Sequence, residues 1–244
     1  MSVLVITGTG TGVGKTVVTA GIAALALRSG RRVAVLKPAQ TGVAAGEPGD
    51  LDDVRRLAGE LTTRELRRFP DPLAPDTAAR RVGMPAVRPS EIAQVAGELD
   101  DTHDLVLIEG AGGLLVRFDD AGGTLADVAW SLGAPVVIVA EAGLGTLNAT
   151  ALTAEALRGR GIICDGVVVG SWPTEPDLAC LHNLEDLPVA AGAPLIGVVP
   201  AGAGALDAAD FALVARTSLA PRLGGDFDAD EFAKELTAGT PPGA

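Results

Sequence analysis

Nine residues near the start of the 244-residue chain constrain its fold more than any other stretch: Gly8-Thr9-Gly10-Thr11-Gly12-Val13-Gly14-Lys15-Thr16. They lie between an apolar, β-branched run at Val3 to Ile6 and a helical pattern at Thr16 to Arg28. A strand, a glycine loop and a helix in that order are the setting of a phosphate-binding P-loop. The glycines let successive N–H groups turn inward, and the helix start adds partial positive charge. Lys15 then reaches the outer phosphates, and the Thr16 hydroxyl is a Mg²⁺ ligand. The spacing is one residue longer than usual, with Thr9 at the customary first glycine and Gly8 before it. A glycine-rich turn without a ligand is the plainer alternative, and Gly-Lys-Thr directly after a strand weighs against it.

The rest of the chain repeats the strand–helix theme. Apolar runs recur at Val33 to Leu36, Leu105 to Ile108, Val136 to Val139, Val167 to Val169 and Leu195 to Val199, each the pattern of a parallel strand buried on both faces. Helical patterns fall between them at Leu51 to Gly59, Ser90 to Leu99, Thr124 to Leu132, Leu147 to Arg158 and Leu178 to Leu187. Such alternation predicts a single-domain α/β fold of P-loop NTPase type, a mostly parallel sheet with helices on both faces. Ser90 with Glu91 reads as a helix start, and Gly30 as the residue that closes the first helix. Five prolines between Leu61 and Pro89 read as an insertion of short helical pieces over the strand ends. The domain is expected to span residues 1–236, with 237–244 a disordered tail.

Composition narrows the function classes. At 48% apolar and 20% charged the chain can bury a sizeable core, and no apolar stretch approaches the roughly 18 residues of a membrane span. Nineteen basic against thirty-one acidic residues leave a net charge of −12, which disfavours nucleic acid and anionic lipid, so any phosphate site must be local. The first residues show no basic leader segment, and a cytoplasmic location is expected. Cys164 and Cys180, with two histidines, make neither a zinc cluster nor a disulfide framework, and both are read as small apolar packing residues. Sixteen of the basic residues are Arg, and the three lysines stand at 15, 37 and 234. That bias reflects either genome composition or a need for a compact ammonium where an Arg fork cannot fit.

Two further motifs end strands, where open α/β sheets bind ligands. Lys37-Pro38-Ala39-Gln40-Thr41-Gly42 puts an ammonium where it neutralises a transferring phosphoryl group, and Thr41 offers a hydroxyl to the acceptor. Leu105 to Ile108 runs into Glu109-Gly110-Ala111-Gly112-Gly113, the place of a Walker B acid with Glu for Asp. Asp50 either caps a helix or binds metal; its position alone favours the cap.

Jointly, the long-spaced P-loop, Lys37-Pro38-x-Gln40-Thr41-Gly42, Glu109 to Gly113 and Gly143-Leu144-Gly145-Thr146-Leu147-Asn148 resemble the dethiobiotin synthetases, ligases of biotin biosynthesis. The resemblance implies that 7,8-diaminopelargonate takes up CO₂ as a carbamate, that ATP phosphorylates it, and that ring closure expels phosphate. It implies Mg²⁺ on Thr16, Asp50 and Glu109, which raises the metal reading of Asp50 above the cap. Lys15 and Lys37 are the implied catalytic residues. Gly12, Val13, Gly14, Lys15, Thr16, Val17, Asp50, Glu109, Gly110, Ala111, Gly112, Gly170, Ser171, Pro200, Ala201 and Gly202 would hold the nucleotide. Thr11, Lys37, Thr41, Gly145, Thr146, Leu147 and Asn148 would hold the substrate, the last four from the partner subunit of a homodimer.

Two positions depart from the family pattern. Gly10 and Gly12 stand where many members have acidic residues, and Gly170-Ser171-Trp172 replaces a stretch in which many use Asn to read adenine, so other nucleoside triphosphates are expected to serve beside ATP. Trp172 itself is read as lining a pocket or an interface. A partitioning-type ATPase switch is the main alternative; its signature loop Lys would fall at position 10, which is Gly. A GTPase would need an Asn-Lys-x-Asp motif, which the chain lacks, and the amidotransferases of cobalamin synthesis need a glutaminase domain for which the length leaves no room.

Overall fold

The computed structural model describes residues 3–238. Seven parallel strands form one sheet in the order β3-β2-β4-β1-β5-β6-β7: β1 (Val3–Gly8), β2 (Val33–Thr41), β3 (Thr62–Phe69), β4 (Leu105–Gly113), β5 (Val136–Ala140), β6 (Cys164–Trp172) and β7 (Leu195–Pro200). In every strand but β3, alternate side chains feed two cores. Leu4, Ile6, Val35, Leu107 and Val137 pack against α1 (Lys15–Arg28), α2 (Asp50–Ala58) and α8 (Ala208–Ser218). Val5, Leu36, Ile108 and Ile138 face α4 (Pro89–Asp100), α5 (Leu125–Leu132), α6 (Thr146–Arg158) and α7 (Leu178–Ala191). Burial on both faces is why these strands carry continuous apolar runs.

The central strand, β1, lies between β4 and β5, where the direction of winding reverses. A crevice opens there at the carboxyl ends of the strands. β1, β2 and β4 deliver the P-loop, the Lys37 segment and Glu109 to that one edge.

The stretch from 61 to 89 departs from the expected string of helical pieces. It holds an edge strand, β3, paired with β2 from Ala34–Thr62 to Thr41–Phe69, and a single helix, α3 (Pro75–Val82). Thr-Thr-Arg-Glu-Leu-Arg-Arg-Phe carries no apolar run, because an edge strand has one pairing neighbour and is protected by charge. Ser90 is not the cap of α4. Pro89 is the first helical residue, preceded by Arg88, since a proline costs nothing where the N–H has no helical partner. Gly30 does close α1, at φ +79° with its N–H on the Leu27 carbonyl.

Trp172 belongs to the core. It is buried with its edge toward Phe232 of α9 (Ala229–Ala238), centroids 5.7 Å apart. Helices α8 and α9 follow β7 where no helix was expected, and α9 runs to Ala238; the rest of the expected tail, 239–244, lies outside the described residues. Cys180 is buried and Cys164 half-buried; neither is disulfide-bonded, and burial pushes both thiols up. Among the described residues no helix is long and apolar enough to cross a membrane.

Candidate active site

The crevice at the strand ends is a cavity of about 710 Å³ lined by Thr11, Gly12, Gly14, Lys15, Thr16, Val17, Lys37, Thr41, Asp50, Glu109, Ala111 and Gly112, with Ala39 and Gln40 at its base. Pro72, Leu73, Ala74, Pro75 and Val116 supply an apolar wall. Thus the Pro-rich connection after β3 does lie over the strand ends.

The loop at 9–14 is held from both sides. Gly12 (φ +79°) and Gly14 (φ +95°) occupy the left-handed region, which lets the backbone double back before α1. Gly14 ends the loop as the N-cap of α1, with no side-chain cap and no acid in the first turn, so the helix start is left for an anion. Beneath it, Gly170 of β6 meets the loop backbone to backbone: a β-carbon at Gly170 would overlap the Val13 carbonyl, and one at Gly14 would overlap the Gly170 carbonyl. The glycine at position 8, before the customary place, has a local reason. A β-carbon at Gly8 would fall 2.8 Å from the Gly10 carbonyl oxygen and 3.0 Å from Lys15 Nζ, and that ammonium donates to the Gly10 carbonyl at 2.8 Å.

At the cavity floor three charges and a hydroxyl interlock. Lys37 Nζ donates to Glu109 Oε1 at 2.7 Å and to the Gly110 carbonyl at 3.2 Å, and pairs with the Asp50 carboxylate. The Thr16 hydroxyl donates to the same Glu109 oxygen at 2.9 Å. Glu109 is 1% exposed and Lys37 3%. Burial draws the Lys37 ammonium down, but Glu109 and Asp50 outweigh it and hold its pKa above the usual lysine value. Burial, with Lys37 nearby, lowers Lys15 to about 8 against the pull of Glu109 and Asp50. Asp50, though burial alone would raise it, is held below the ordinary carboxylate range by Lys37.

The capping alternative for Asp50 fails on this geometry. Gly49 is the N-cap of α2, and the carboxylate that accepts its N–H, at 2.7 Å, is Asp52. Asp50 is the first helical residue, its carboxylate turned to Lys37.

Glu109 Oε2 is buried with no hydrogen-bond partner. An orphaned carboxylate oxygen, a second carboxylate and a hydroxyl fit Mg²⁺, which takes oxygen ligands and completes its shell with phosphates and water instead of an all-protein cage. The described residues hold no group of three or more His, Cys, Asp or Glu suited to a metal.

Several expected residues stand apart from the cavity. Val13 is buried under the loop, and Gly110 is buried at the floor, contributing its carbonyl. Ser171 is exposed beyond Gly170. Pro200 pairs with Trp172, and the Ala201 N–H donates to the Trp172 carbonyl at 2.7 Å, which sets the turn at Gly202 (φ +83°) next to Gly204 and Val17. Gly145, Thr146, Leu147 and Asn148 line a different surface, the start of α6; Gly145 (φ +95°) caps that helix with no side-chain bond, Asn148 is exposed and Thr146 buried. Gln40 and Arg68, to which the motifs assign no role, brace the start of α2; Gln40 is marked by its place in the Lys37 motif, and Arg68 comes beside it only through the pairing of β3 with β2.

Residues 2–205 match the family described as an AAA domain. The chain is 70% identical to the ATP-dependent dethiobiotin synthetase BioD of Saccharopolyspora erythraea, over 92% of this chain and 98% of that protein. It is 65% identical to the enzyme of the same name from Streptomyces avermitilis, over 96% and 98%. Among solved structures, MinD of the Aquifex aeolicus MinC:MinD cell division complex superposes with a TM-score of 0.56 at 17% identity, over 100% of this chain and 99% of that one. A ParA family ATPase from Chlorobium tepidum gives 0.55 at 14% identity, over 96% and 99%. The two structures share the fold, and at that identity nothing finer passes between them.

Proposed function

The chain belongs to the dethiobiotin synthetase family of ATP-dependent ligases, and from that premise we propose how its site works. Diaminopelargonate, CO₂ and ATP meet in the cavity at the ends of β1, β2 and β4. One amine of the substrate adds to CO₂ to give a carbamate and gives up a proton. A carbamate oxygen then attacks the γ-phosphorus of ATP, releasing ADP. The second amine attacks the carbonyl of the resulting carbamic-phosphoric anhydride, loses its proton, and expels phosphate as the cyclic urea closes.

The observation that carries this reading is the Lys37 ammonium, buried between Glu109 and Asp50 and beside Lys15. A fixed positive charge at that point stabilises negative charge developing on the transferred phosphoryl group without reorganising water. Lys15 and the free N–H groups of α1 hold the β- and γ-phosphates. Thr16, Asp50 and Glu109 would hold Mg²⁺, which when bound neutralises phosphate charge. The apolar wall of Pro72, Leu73 and Val116 suits the substrate's methylene chain.

The carboxylate end of that chain goes to the start of α6 of a second subunit in a homodimer. No Lys or Arg occurs between Arg117 and Arg158, so this stretch offers an anion only N–H groups, hydroxyls and the Asn148 amide. On the nucleotide side, Gly170 is committed to the P-loop and Ser171 brings no amide. ATP is therefore joined by CTP, GTP and UTP within about tenfold in specificity, a gap of about 1.4 kcal/mol. The enzyme works in the cytoplasm as a single domain.

The deciding experiment follows phosphate release from ATP in a single turnover with and without diaminopelargonate and bicarbonate. Release that needs both supports the ligase; equal release without them would overturn it in favour of an ATPase switch.

A further inference from the structure

Helix α2 begins in an unusual way. Its N-cap is Gly49, which has no side chain, and the first helical N–H, that of Asp50, is accepted at 2.9 Å by the side-chain oxygen of Gln40 on β2. Gln40 is 4% exposed, and the same Asp50 whose N–H it accepts carries the carboxylate paired with Lys37. The connection from 42 to 49 would otherwise be a loose one, with Gly42 and Gly46 in the left-handed region.

Arg68 of β3 backs the arrangement. Its guanidinium is forked onto Glu65 at 2.7 and 2.8 Å and donates to the carbonyls of Glu47 and Ala44 within the connection. Gly49 is the point where both side chains pass: a β-carbon there would lie 2.9 Å from Gln40 Oε1 and 2.9 Å from Arg68 Nη2. Gly49 has φ −120°, so the requirement for glycine is one of space and not of backbone conformation.

We infer that Gln40, backed by Arg68, is a positioning residue for Mg²⁺: its hydrogen bond to the Asp50 N–H fixes the start of α2 so that the Asp50 carboxylate faces Glu109 across the cavity floor. Gln40 touches neither phosphate nor metal in this scheme. It acts through Asp50, as outer partners of metal ligands do, and their loss costs about 10 to 100-fold in metal affinity or activity. The inference rests on Asp50 being a metal ligand, as proposed for the reaction.

The test is Mn²⁺ binding measured by electron paramagnetic resonance with a non-hydrolysable ATP analogue, on the full-length protein. Gln40→Leu removes the acceptor and is expected to raise the Mn²⁺ Kd at least about tenfold. Gln40→Glu, which keeps an oxygen in place, is expected to restore it to within about threefold, and rate lost by Gln40→Leu should return as Mg²⁺ is raised. Gln40→Leu with parental Mn²⁺ affinity and a cooperative melt would overturn the inference, as would an effect confined to the KM for the diamine, which would mean direct contact with substrate. If Gln40→Leu fails to fold, Gly49→Ala probes the same contact and is expected to weaken Mn²⁺ binding likewise, because the added methyl pushes the Gln40 amide off Asp50 from a permitted backbone. Asp50→Asn separates the two layers: parental Mn²⁺ affinity in that variant removes the metal reading and the inference together, whereas weakened binding there with none in Gln40→Leu removes the inference alone.

Discussion

Replacing Lys37 by Met should destabilise the metal-free protein, because the ammonium is the counter-charge of Glu109, a carboxylate only 1% exposed. Breaking a buried pair by removing one member typically costs about 3–5 kcal/mol. Asp50 sets the pH dependence. Burial pulls its pKa up, but Lys37 holds it below the ordinary carboxylate range, so in the parent it contributes stability above the unfolded value of about 3.9 that is lost as pH falls through the folded one. The variant lacks that contribution. At about 2–4 °C per kcal/mol for a chain of this size, the melting temperature should drop roughly 6–20 °C at pH 7, and the gap between parent and variant should narrow on acidification below about pH 4. Calorimetry in EDTA at neutral and acidic pH reads this directly. Added Mg²⁺ should then stabilise the variant more than the parent, as a divalent ion takes the place of the ammonium. Turnover of Lys37→Met and Lys37→Arg should fall about 10²–10³-fold while nucleotide still binds. A drop under about 3 °C at pH 7, or a gap that does not narrow below about pH 4, would refute the reasoning.

Glu109→Gln keeps the shape but loses the charge, so the Mg²⁺ concentration for half-maximal rate should rise at least about tenfold; a titration identical to the parent removes Glu109 from the metal site. Gly170→Ala drives a methyl into the Val13 carbonyl and must displace the P-loop, at a cost of about 1–3 kcal/mol and roughly a tenfold loss of nucleotide affinity; calorimetric titration showing an unchanged Kd refutes the bracing contact. Lys15 binds phosphate as the ammonium, and with its pKa at about 8 in the free protein, nucleotide affinity should be flat below that pH and fall by up to about tenfold per unit above it; a flat profile from pH 7 to 9.5 contradicts this. Mixing Lys37→Ala with Asn148→Trp, the latter chosen because Asn148 is exposed where Thr146 is buried, should regain part of the activity if subunits share sites; no recovery after confirmed subunit exchange rules out the shared site.

What could be read in advance divides along a physical line. Strands buried on both faces announce themselves, because Val33 to Leu36 or Val136 to Val139 must be apolar throughout. The P-loop was legible for a related reason: Gly12 and Gly14 sit at φ values that side chains rarely adopt, so the backbone requirement is written in residue type. β3 was hidden because an edge strand gains its pairing from backbone groups and its safety from charge, and neither leaves an apolar pattern. Trp172 was ambiguous for the opposite reason, since an aromatic after a strand packs in a core, as it does here against Phe232, as readily as it lines a ligand. Asp50 shows the limit most clearly. Three acids within four residues, Asp50, Asp52 and Asp53, could each have capped α2, and nothing in their order says that Asp52 takes the cap. That choice is made from outside the helix: Gln40 on one neighbouring strand accepts the Asp50 N–H, and Arg68 on the next clamps the preceding loop. A site residue fixed by contacts across three strands and a loop has no local signature, so its role emerges only when the sheet brings Lys37, Glu109 and Gln40 to the same edge.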